Sequence, residues 1–246
     1  LGYTLDRIGE MGTPNSAYSA PQLDYLICKI PRWDLTKFNG VSRKIGSSMK
    51  SVGEIMSIGR SFEELIQKGL RMIGQGMHGF VCNEHVRFTN LDEELENPTD
   101  LRIFAIAQAL QDGYPVERIH ELTKIDPWFI GRMKNIVDFQ HILEGFDSLE
   151  SIPEETLRKA KEMGFSDFQI ARCVLKNGEN MERQVLKVRS RRKALGILPA
   201  VKRIETVASE HPDLTNYLYM TYGASGHDVN YYKNDKSVIV LGSGAY

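Results

Sequence analysis

Residues 151–169 read SIPEETLRKAKEMGFSDFQ and contain two helix starts separated by a helix stop. Ser151 and Ser166 each stand three residues before a Glu or Gln, the spacing at which two side chains can satisfy free backbone amides at a helix start. Gly164 lies between them and can take the positive φ that ends a helix. The segment therefore predicts two short helices joined by a tight turn, which is typical of a compact helical bundle.

The same signals extend the helical region in both directions. Asn97-Pro98 and Asp126-Pro127 each place a capping side chain before a proline suited to the first helical position. The first pair predicts a helix that Gly113 ends, and the second predicts a helix that Gly145 ends by taking positive φ. Apolar residues recur at helical spacing in three sets, namely Ile103, Ile106, Ala107 and Leu110, then Phe129, Met133 and Ile136, then Met181, Val185 and Val188. The middle of the chain is therefore predicted to be α-helical.

Short apolar runs on both sides of this region predict strands. Residues 23–30, LDYLICKI, are closed by Pro31 and predict a strand that is buried on both faces. Residues 216–222 are rich in strand formers, and residues 237–241 form a short apolar run. Ser61-Phe62-Glu63-Glu64 is a capping box that predicts a helix after the first strand. The polar segment 83–97 separates this first α/β part from the helices, so we place a domain boundary there.

The composition limits the partners and the compartment. Lys and Arg total 31 against 32 acidic residues, and the formal charge of -1 provides no overall field for nucleic acid or anionic lipid. No apolar run approaches the roughly 18 residues of a membrane span, so we expect a soluble, cytoplasmic protein. Three separated cysteines, Cys28, Cys82 and Cys173, predict neither a disulfide framework nor a zinc site, and they indicate a reducing compartment.

Signatures of catalysis and of metal binding are missing from the sequence. The six histidines show no pair at the spacing of metal ligands on a helix. No Gly-x-Ser-x-Gly motif and no Cys and His signature indicates a nucleophile. We therefore predict no catalytic residue and no metal-ligating residue in this chain.

Four motifs leave a functional and a structural interpretation open. Gly242-Ser243-Gly244 could begin a phosphate loop or could be an ordinary loop after a strand. Glu54 stands among apolar residues, so it either lines a polar passage or lies at a strand edge that faces solvent. The basic run from Lys187 to Lys193 could contact phosphate, but it better suits a solvated helix face or a subunit contact. Met163-Gly164-Phe165-Ser166 resembles the first loop of ubiquitin-associated modules, which gives the alternative of a freestanding helical interaction module.

Six motifs in chain order carry a resemblance to one family. They are Ile30 to Asp34, Met49 to Met56, Ile125 to Phe129, Lys161 to Asp167, Thr215 to Tyr219, and Val240 to Gly244. Together they resemble the large chain of carbamoyl-phosphate synthase. Because the motifs extend over nearly all of the chain in the family's order, the resemblance concerns one continuous segment of that larger enzyme.

The resemblance implies a fold class and a division into domains. The chain would be mainly α, with a helical oligomerisation domain flanked by incomplete α/β pieces of two ATP-grasp halves. Residues 1–82 would end the first half, residues 83–212 would form the oligomerisation domain, and residues 213–246 would begin the second half. The parent would be an ATP-dependent ligase that makes carbamoyl phosphate from two ATP, bicarbonate and glutamine, for arginine or pyrimidine biosynthesis.

The resemblance also implies roles for particular residues. Leu23, Pro31, Met49 and Glu54 would line part of an internal tunnel that carries carbamate between the halves, where exclusion of water limits hydrolysis. Gly242 and Gly244 would begin a phosphate loop of the second half. ATP and Mg or Mn would be cofactors of the parent, bound outside this segment, so the chain alone is expected to be inactive. Its partners would be a glutaminase subunit or domain and other large chains, with no nucleic acid and no membrane.

Overall fold

Helices dominate the computed structural model, which describes residue 2 and residues 23–83, 87–175, 180–204, 217–230 and 238–242. The strands are β1 (Leu26–Arg32), β2 (Gly53–Gly59), β3 (Ala200–Arg203) and β4 (Leu218–Thr221). The helices are α1 (Phe62–Met72), α2 (Leu91–Glu96), α3 (Arg102–Gln111), α4 (Val116–Thr123), α5 (Pro127–Glu144), α6 (Glu154–Glu162), α7 (Asp167–Val174) and α8 (Met181–Ala194), and a 3-10 turn covers Leu35–Lys37. The mainly α class is confirmed. None of the helices in these ranges is long and apolar enough to cross a membrane.

β1 and β2 form an antiparallel pair, with Ile30 opposite Ile55, and α1 packs on one face of it. Ile30 and Ile55 are buried in the core on that face. The expectation of a first strand buried on both faces is wrong, because Leu26 and Ile27 are 44% and 48% exposed. Side chains alternate along a strand, so Ile27 points away from the single helix that covers the sheet.

α1 begins where the sequence predicts, although half of the expected capping box is used differently. The Ser61 hydroxyl accepts a hydrogen bond from the Glu64 backbone N–H at 3.2 Å. The Glu64 carboxylate does not return to the Ser61 amide; it accepts from the backbone N–H of Arg60 at 2.8 Å. This bond holds the carboxylate of Glu64 between the end of β2 and the first turn of α1.

One hydrophobic core runs without a break from Ile30 in β1 to Ile197 after α8. Its large side chains with less than 2% exposure are Phe80, Leu95, Ile106, Ile119, Ile130, Ile136, Leu143, Ile152, Leu157, Phe165, Ile170 and Ile197. Leu95 belongs to the polar segment 83–97, which contains the packed helix α2. The domain boundary near residue 82 stays a prediction.

Most of the predicted helix signals are confirmed. Asp126 caps α5 with Pro127 at its first position, and Ser166 and Gln169 make both hydrogen bonds of a capping box at α7. Gly113 follows α3 with a φ of 85°, and Gly164 follows α6 with a φ of 84°. These signals depend on residues within one helical turn, which explains why the sequence alone was enough. No sequence pattern indicated the short helix α4.

Three predicted helix-end signals are wrong. Ser151 does not cap α6, because Pro153 is the N-cap residue without a side-chain hydrogen bond and the Ser151 hydroxyl instead donates to the Ser148 carbonyl at 2.8 Å. Asn97-Pro98 does not start a helix, because α3 begins at Arg102 and the Asn97 N–H instead donates to the Glu93 carbonyl at the end of α2, at 2.9 Å. The Pro98 carbonyl accepts from the backbone N–H of Ile45 at 2.8 Å, so this stretch is held by an earlier loop. Gly145 does follow α5, but with a φ of -75° rather than a positive value.

β3 and β4 form a second antiparallel pair, with Ala200 opposite Thr221. β4 confirms the strand expected over 216–222 for its described residues, whereas β3 had no recognised signal. The strand expected at 237–241 is wrong for 238–241, which have no strand conformation and are 86–90% exposed. A strand needs a hydrogen-bonded neighbour, and the described part of the chain provides none at that point. Ser237 and Gly244 lie outside the described residues.

Candidate coupling site

Polar side chains fill the region where α1 meets β2, β4 and the turn between α6 and α7. This cluster, called the junction below, consists of Glu64, Gln67 and Lys68 of α1, Gln169 of α7 and Thr221 of β4. All except Lys68 are buried. Buried polar groups are retained where they are hydrogen-bonded, so the partners of these five side chains define what the junction does.

Glu64 and Lys68 connect three segments of the chain. The Lys68 ammonium donates to the Glu64 carboxylate at 2.9 Å and to the backbone carbonyls of Ile58 in β2 and Met220 in β4, at 2.7 and 2.6 Å. The other carboxylate oxygen of Glu64 accepts from the Thr221 hydroxyl at 3.0 Å. All three ammonium donors are therefore used. A saturated ion pair of this kind fixes the relative positions of β2, α1 and β4.

Two buried amides connect α1 to α7. The Gln169 side-chain NH₂ donates to the side-chain oxygen of Gln67 at 3.0 Å and to the Val81 carbonyl at 3.1 Å. The same oxygen of Gln67 accepts from the backbone N–H of Phe80 at 2.8 Å. Gln67 and Gln169 therefore link the loop after α1 to the helical bundle. Because hydrogen bonds are directional, these contacts fix the position of the loop relative to α7.

The turn between α6 and α7 packs directly on α1. Arg71 Nη1 donates to the Gly164 carbonyl at 2.8 Å and to the side-chain oxygen of Gln169 at 3.2 Å. Burial lowers the pKa of the Arg71 guanidinium to about 10, which leaves it charged at neutral pH. A Cβ atom at position 164 would lie 2.8 Å from the Cα of Glu64, so only glycine permits this approach. The turn and α1 are thus held in contact through their backbones.

A second buried charge cluster holds the other side of this turn. The Lys161 ammonium donates to the Phe165 carbonyl at 2.7 Å and to the Asp167 carboxylate at 2.8 Å. Arg192 of α8 donates to both oxygens of Asp167 at 3.0 Å. The Tyr222 ring, just after β4, lies 5.0 Å from the Lys161 ammonium. α6, α7, α8 and the residue after β4 therefore meet at one set of charges.

The contribution of Lys161 to the stability of the fold is expected to increase at alkaline pH. Burial lowers its pKa from 10.5 to about 8 in the folded chain. Between these two values the unfolded chain binds more protons than the folded chain, so the free energy of unfolding rises with pH. The total rise is on the order of 3 kcal/mol, and it is absent below pH 8, where both states are protonated.

Urea unfolding of the wild type and of Lys161→Met, measured from pH 7 to pH 10.5, checks this prediction. The variant lacks the titrating group, and Asp167 keeps its pairing with Arg192. The difference between the two stability curves should grow through the alkaline window, with the wild type gaining. Curves that stay parallel would contradict the assigned role of Lys161.

The junction can hold and orient the chain segments that meet there, but it offers no reactive group. Its carboxylate and its ammonium are engaged with several partners each, as described above. Among the described residues, no three His, Cys, Asp or Glu side chains are close enough together to hold a metal ion. The arrangement is therefore suited to transmitting position between chain segments.

The predicted tunnel residues lie at and near the β1–β2 sheet. Pro31 and Glu54 are opposite each other in the register, and the Glu54 carboxylate pairs with the Lys29 ammonium at 2.8 Å. Leu23 and Met49 are 41% and 86% exposed. Glu54 thus occupies an exposed strand position, which was the structural interpretation of its pattern, and the tunnel role of the four residues stays a prediction.

Of the predicted phosphate-loop residues, only Gly242 is described. It lies in the exposed, irregular stretch 238–242. Gly244 lies outside the described residues, so the loop also stays a prediction.

Sequence reasoning missed the junction. Glu64 and Gln67 belong to the polar side of an amphipathic helix, and such a side is normally assigned to solvent. In the structure, β4 and the turn between α6 and α7 cover that side, so both residues are buried. No local signal indicates their burial, because the covering segments come from 100 and more residues further along the chain.

The Met163 to Ser166 turn is not available as a protein-binding loop. Met163 and Phe165 are 7% and 1% exposed, and Gly164 rests on α1. A loop that recognises a partner must present its side chains at the surface. The turn instead belongs to the core, so the alternative of a freestanding interaction module is not favoured.

The fold and the junction define a helical domain that holds two strand pairs together and has no recognisable reactive centre in its described part. The family model described as carbamoyl-phosphate synthetase large chain, oligomerisation domain, matches residues 54–196. The chain belongs to the carbamoyl-phosphate synthetase large-chain family, and the resemblance drawn from its motifs is confirmed.

Relatives of high identity match nearly the whole chain. It is 50% identical to multifunctional protein pyr1-3 of Dictyostelium discoideum and 48% identical to the mitochondrial, arginine-specific carbamoyl phosphate synthase large chain of Neurospora crassa, over 100% of this chain in both cases. It is 46% identical to the mitochondrial carbamoyl-phosphate synthase (ammonia) of Homo sapiens over 94% of this chain. The chain spans only 11%, 20% and 15% of the length of these three relatives.

Proposed function

We propose that this chain is the segment of a carbamoyl-phosphate synthase large chain that assembles the enzyme and couples its two synthetase halves. The observation that carries the proposal is the junction, in which Glu64 and Lys68 connect α1 to both β2 and β4. In the proposed division, residues 1–82 end the first ATP-grasp half, residues 83–212 form the oligomerisation domain, and residues 213–246 begin the second half. β2 and β4 then come from different halves, and the junction is where one half senses the other.

The parent enzyme supplies the chemistry in this proposal. It uses ATP, with Mg or Mn, to convert bicarbonate and glutamine-derived ammonia into carbamoyl phosphate, and the segment alone is inactive. Its partners are a glutaminase subunit or domain and further copies of the large chain. Three free cysteines suit a reducing compartment such as the cytoplasm, and two of the relatives named above are mitochondrial enzymes.

Leu23, Pro31, Met49 and Glu54 are proposed to line the carbamate path next to the sheet. The apolar residues would exclude water from carbamate, which hydrolyses readily. The Glu54 carboxylate pairs with the Lys29 ammonium, so it would make one part of the tunnel wall polar without adding net charge. The exposed apolar side of β1 and β2 is consistent with a surface that the rest of the first half covers. Gly242 and Gly244 are proposed to open the phosphate loop of the second half.

Thr221→Val in the full-length large chain with its glutaminase tests the coupling role. The substitution keeps the volume of the side chain and removes the hydroxyl that joins β4 to Glu64. A buried hydrogen bond of about 1 kcal/mol corresponds to roughly a fivefold change in an equilibrium between two arrangements. We expect bicarbonate-dependent ATP hydrolysis to persist, while the ratio of ATP hydrolysed to carbamoyl phosphate formed rises severalfold.

Thr99→Val is the matched control. The Thr99 hydroxyl bonds only locally, to Glu94 at 3.4 Å and to the backbone N–H of Leu101 at 3.2 Å. This variant should keep the wild-type ratio. If Thr221→Val reduced ATP hydrolysis and product formation in equal proportion, the junction would be a purely structural contact and the proposed coupling role would be rejected.

A further inference from the structure

Two thiols from distant parts of the chain lie side by side. Cys82 follows α1, and Cys173 lies in the last turn of α7. Their Sγ atoms are 3.4 Å apart, and both cysteines are free. The third thiol, Cys28 of β1, is also free and provides an internal reference.

The two thiols lie close enough to form a disulfide bond, and Cys82 is more accessible to solvent than Cys173. A disulfide holds its sulfur atoms at about 2.05 Å, so each Sγ would need to move by about 0.7 Å. Cys82 lines a cleft of about 450 Å³ between the loop after α1 and the helices α3, α5 and α7, whereas Cys173 is 2% exposed. A small reagent can therefore meet Cys82 first, with Cys173 directly behind it.

We propose that Cys82 and Cys173 form a reversible disulfide site that reacts with a small disulfide such as oxidised glutathione. The Cys82 thiolate attacks one sulfur of the reagent, which forms a mixed disulfide and releases one glutathione thiolate. The Cys173 thiolate then attacks the Cys82 sulfur and releases the second glutathione. The two protein thiols lose two electrons and two protons, and both are taken up by the two molecules of reduced glutathione.

The surroundings of the pair make this reaction slow at neutral pH. The hydrogen bond to Cys173 and burial raise the pKa of the Cys82 thiol, Glu144 raises it further, and Arg172 opposes these effects. The charged or titratable groups that face the cleft are Arg87, Asp112, His141, Glu144 and Arg172. Only the thiolate attacks, so the rate of oxidation rises about tenfold per pH unit below the thiol pKa.

The disulfide bond would join the loop after α1 to α7, next to the junction. The Val81 carbonyl, adjacent to Cys82, already accepts from Gln169, which lies one helical turn before Cys173 on α7. A covalent bond between the same loop and helix would make this hydrogen-bonded contact permanent until it is reduced. Its effect on coupling between the halves rests on the proposed function, whereas formation of the bond does not.

The test treats the 246-residue chain with oxidised glutathione at pH 7 and at pH 8.5 and follows the products by intact mass and peptide mapping. We expect loss of two hydrogen masses, one cross-linked peptide pair that contains Cys82 and Cys173, at least tenfold faster formation at the higher pH, and full reversal by dithiothreitol. Because the other two thiols lie next to each other, Cys28 should appear as a thiol or as a glutathione adduct and never in the cross-linked peptide pair.

Two serine variants separate the roles of the thiols. Cys173→Ser should accumulate a glutathione adduct on Cys82, because the second attack is lost. Cys82→Ser should form an adduct on Cys173 at least tenfold more slowly, because that thiol is covered. A lasting glutathione adduct on Cys82 in the wild type, a cross-linked peptide pair that contains Cys28, or no loss of two hydrogen masses at pH 8.5 would each overturn the proposal.

Discussion

Gly164→Ala is expected to lower the free energy of unfolding by about 4 kcal/mol, as the sum of backbone strain and overpacking. Gly164 has a φ of 84°, which a residue with a Cβ adopts at a cost. The added Cβ would also lie 2.8 Å from the Cα of Glu64 and 3.0 Å from its carbonyl oxygen. Because these are backbone atoms, no side-chain rotation can relieve the contact, and α1 would have to separate from the turn.

Gly113→Ala is the matched control for this experiment. Gly113 has a φ of 85°, almost the same as that of Gly164, but no atom lies within 4 Å of a Cβ built there. This variant isolates the strain, and we expect a loss of about 1 kcal/mol. Urea unfolding of the two variants measures both effects. Equal losses would show that the turn does not press on α1, which would remove the backbone contact from the junction.

This pair of glycines also shows how far the sequence could predict the fold. Both were recognised as helix stops, because a stop depends on residues within one turn of the helix. The second role of Gly164, close approach to Glu64, depends on a segment 100 residues away and has no local pattern. The prediction for Gly145 is wrong because a glycine after a helix can end it without positive φ.

The first strand shows the same division between local and distant information. Its position was predicted from its apolar run, but its burial depends on how many layers cover the sheet. Only one helix packs on β1 and β2 in the described part of the chain, so Ile27 stays half exposed. The family was recognisable from motifs, whereas the junction was not, because Glu64 and Thr221 come together across 157 positions of sequence.

Lys68→Met is expected to lower the free energy of unfolding by about 3 kcal/mol, the lower end of the usual loss when one partner of a buried ion pair is removed, because Glu64 is buried and Lys68 is partly exposed. The Glu64 side chain is 2% exposed, and without the ammonium its charge keeps only the Arg60 backbone N–H and the Thr221 hydroxyl as hydrogen-bond donors. The carbonyls of Ile58 and Met220 lose their donor in the same step. Lys134→Met is the control, because its pair with Asp138 is about half exposed and should contribute less than about 1 kcal/mol.

The double variant Glu64→Gln with Lys68→Met identifies the cause of this loss. A glutamine at position 64 can still accept from Arg60 and Thr221 through its side-chain oxygen, but it carries no charge. If the stranded carboxylate dominates, the double variant will be more stable than Lys68→Met alone, with a coupling energy of at least about 1 kcal/mol between the two positions. If the two losses simply add, the ammonium acts through the two backbone carbonyls instead. The attraction between Glu64 and Lys68 would then add little to stability, and the connection between β2 and β4 would depend on the lysine alone.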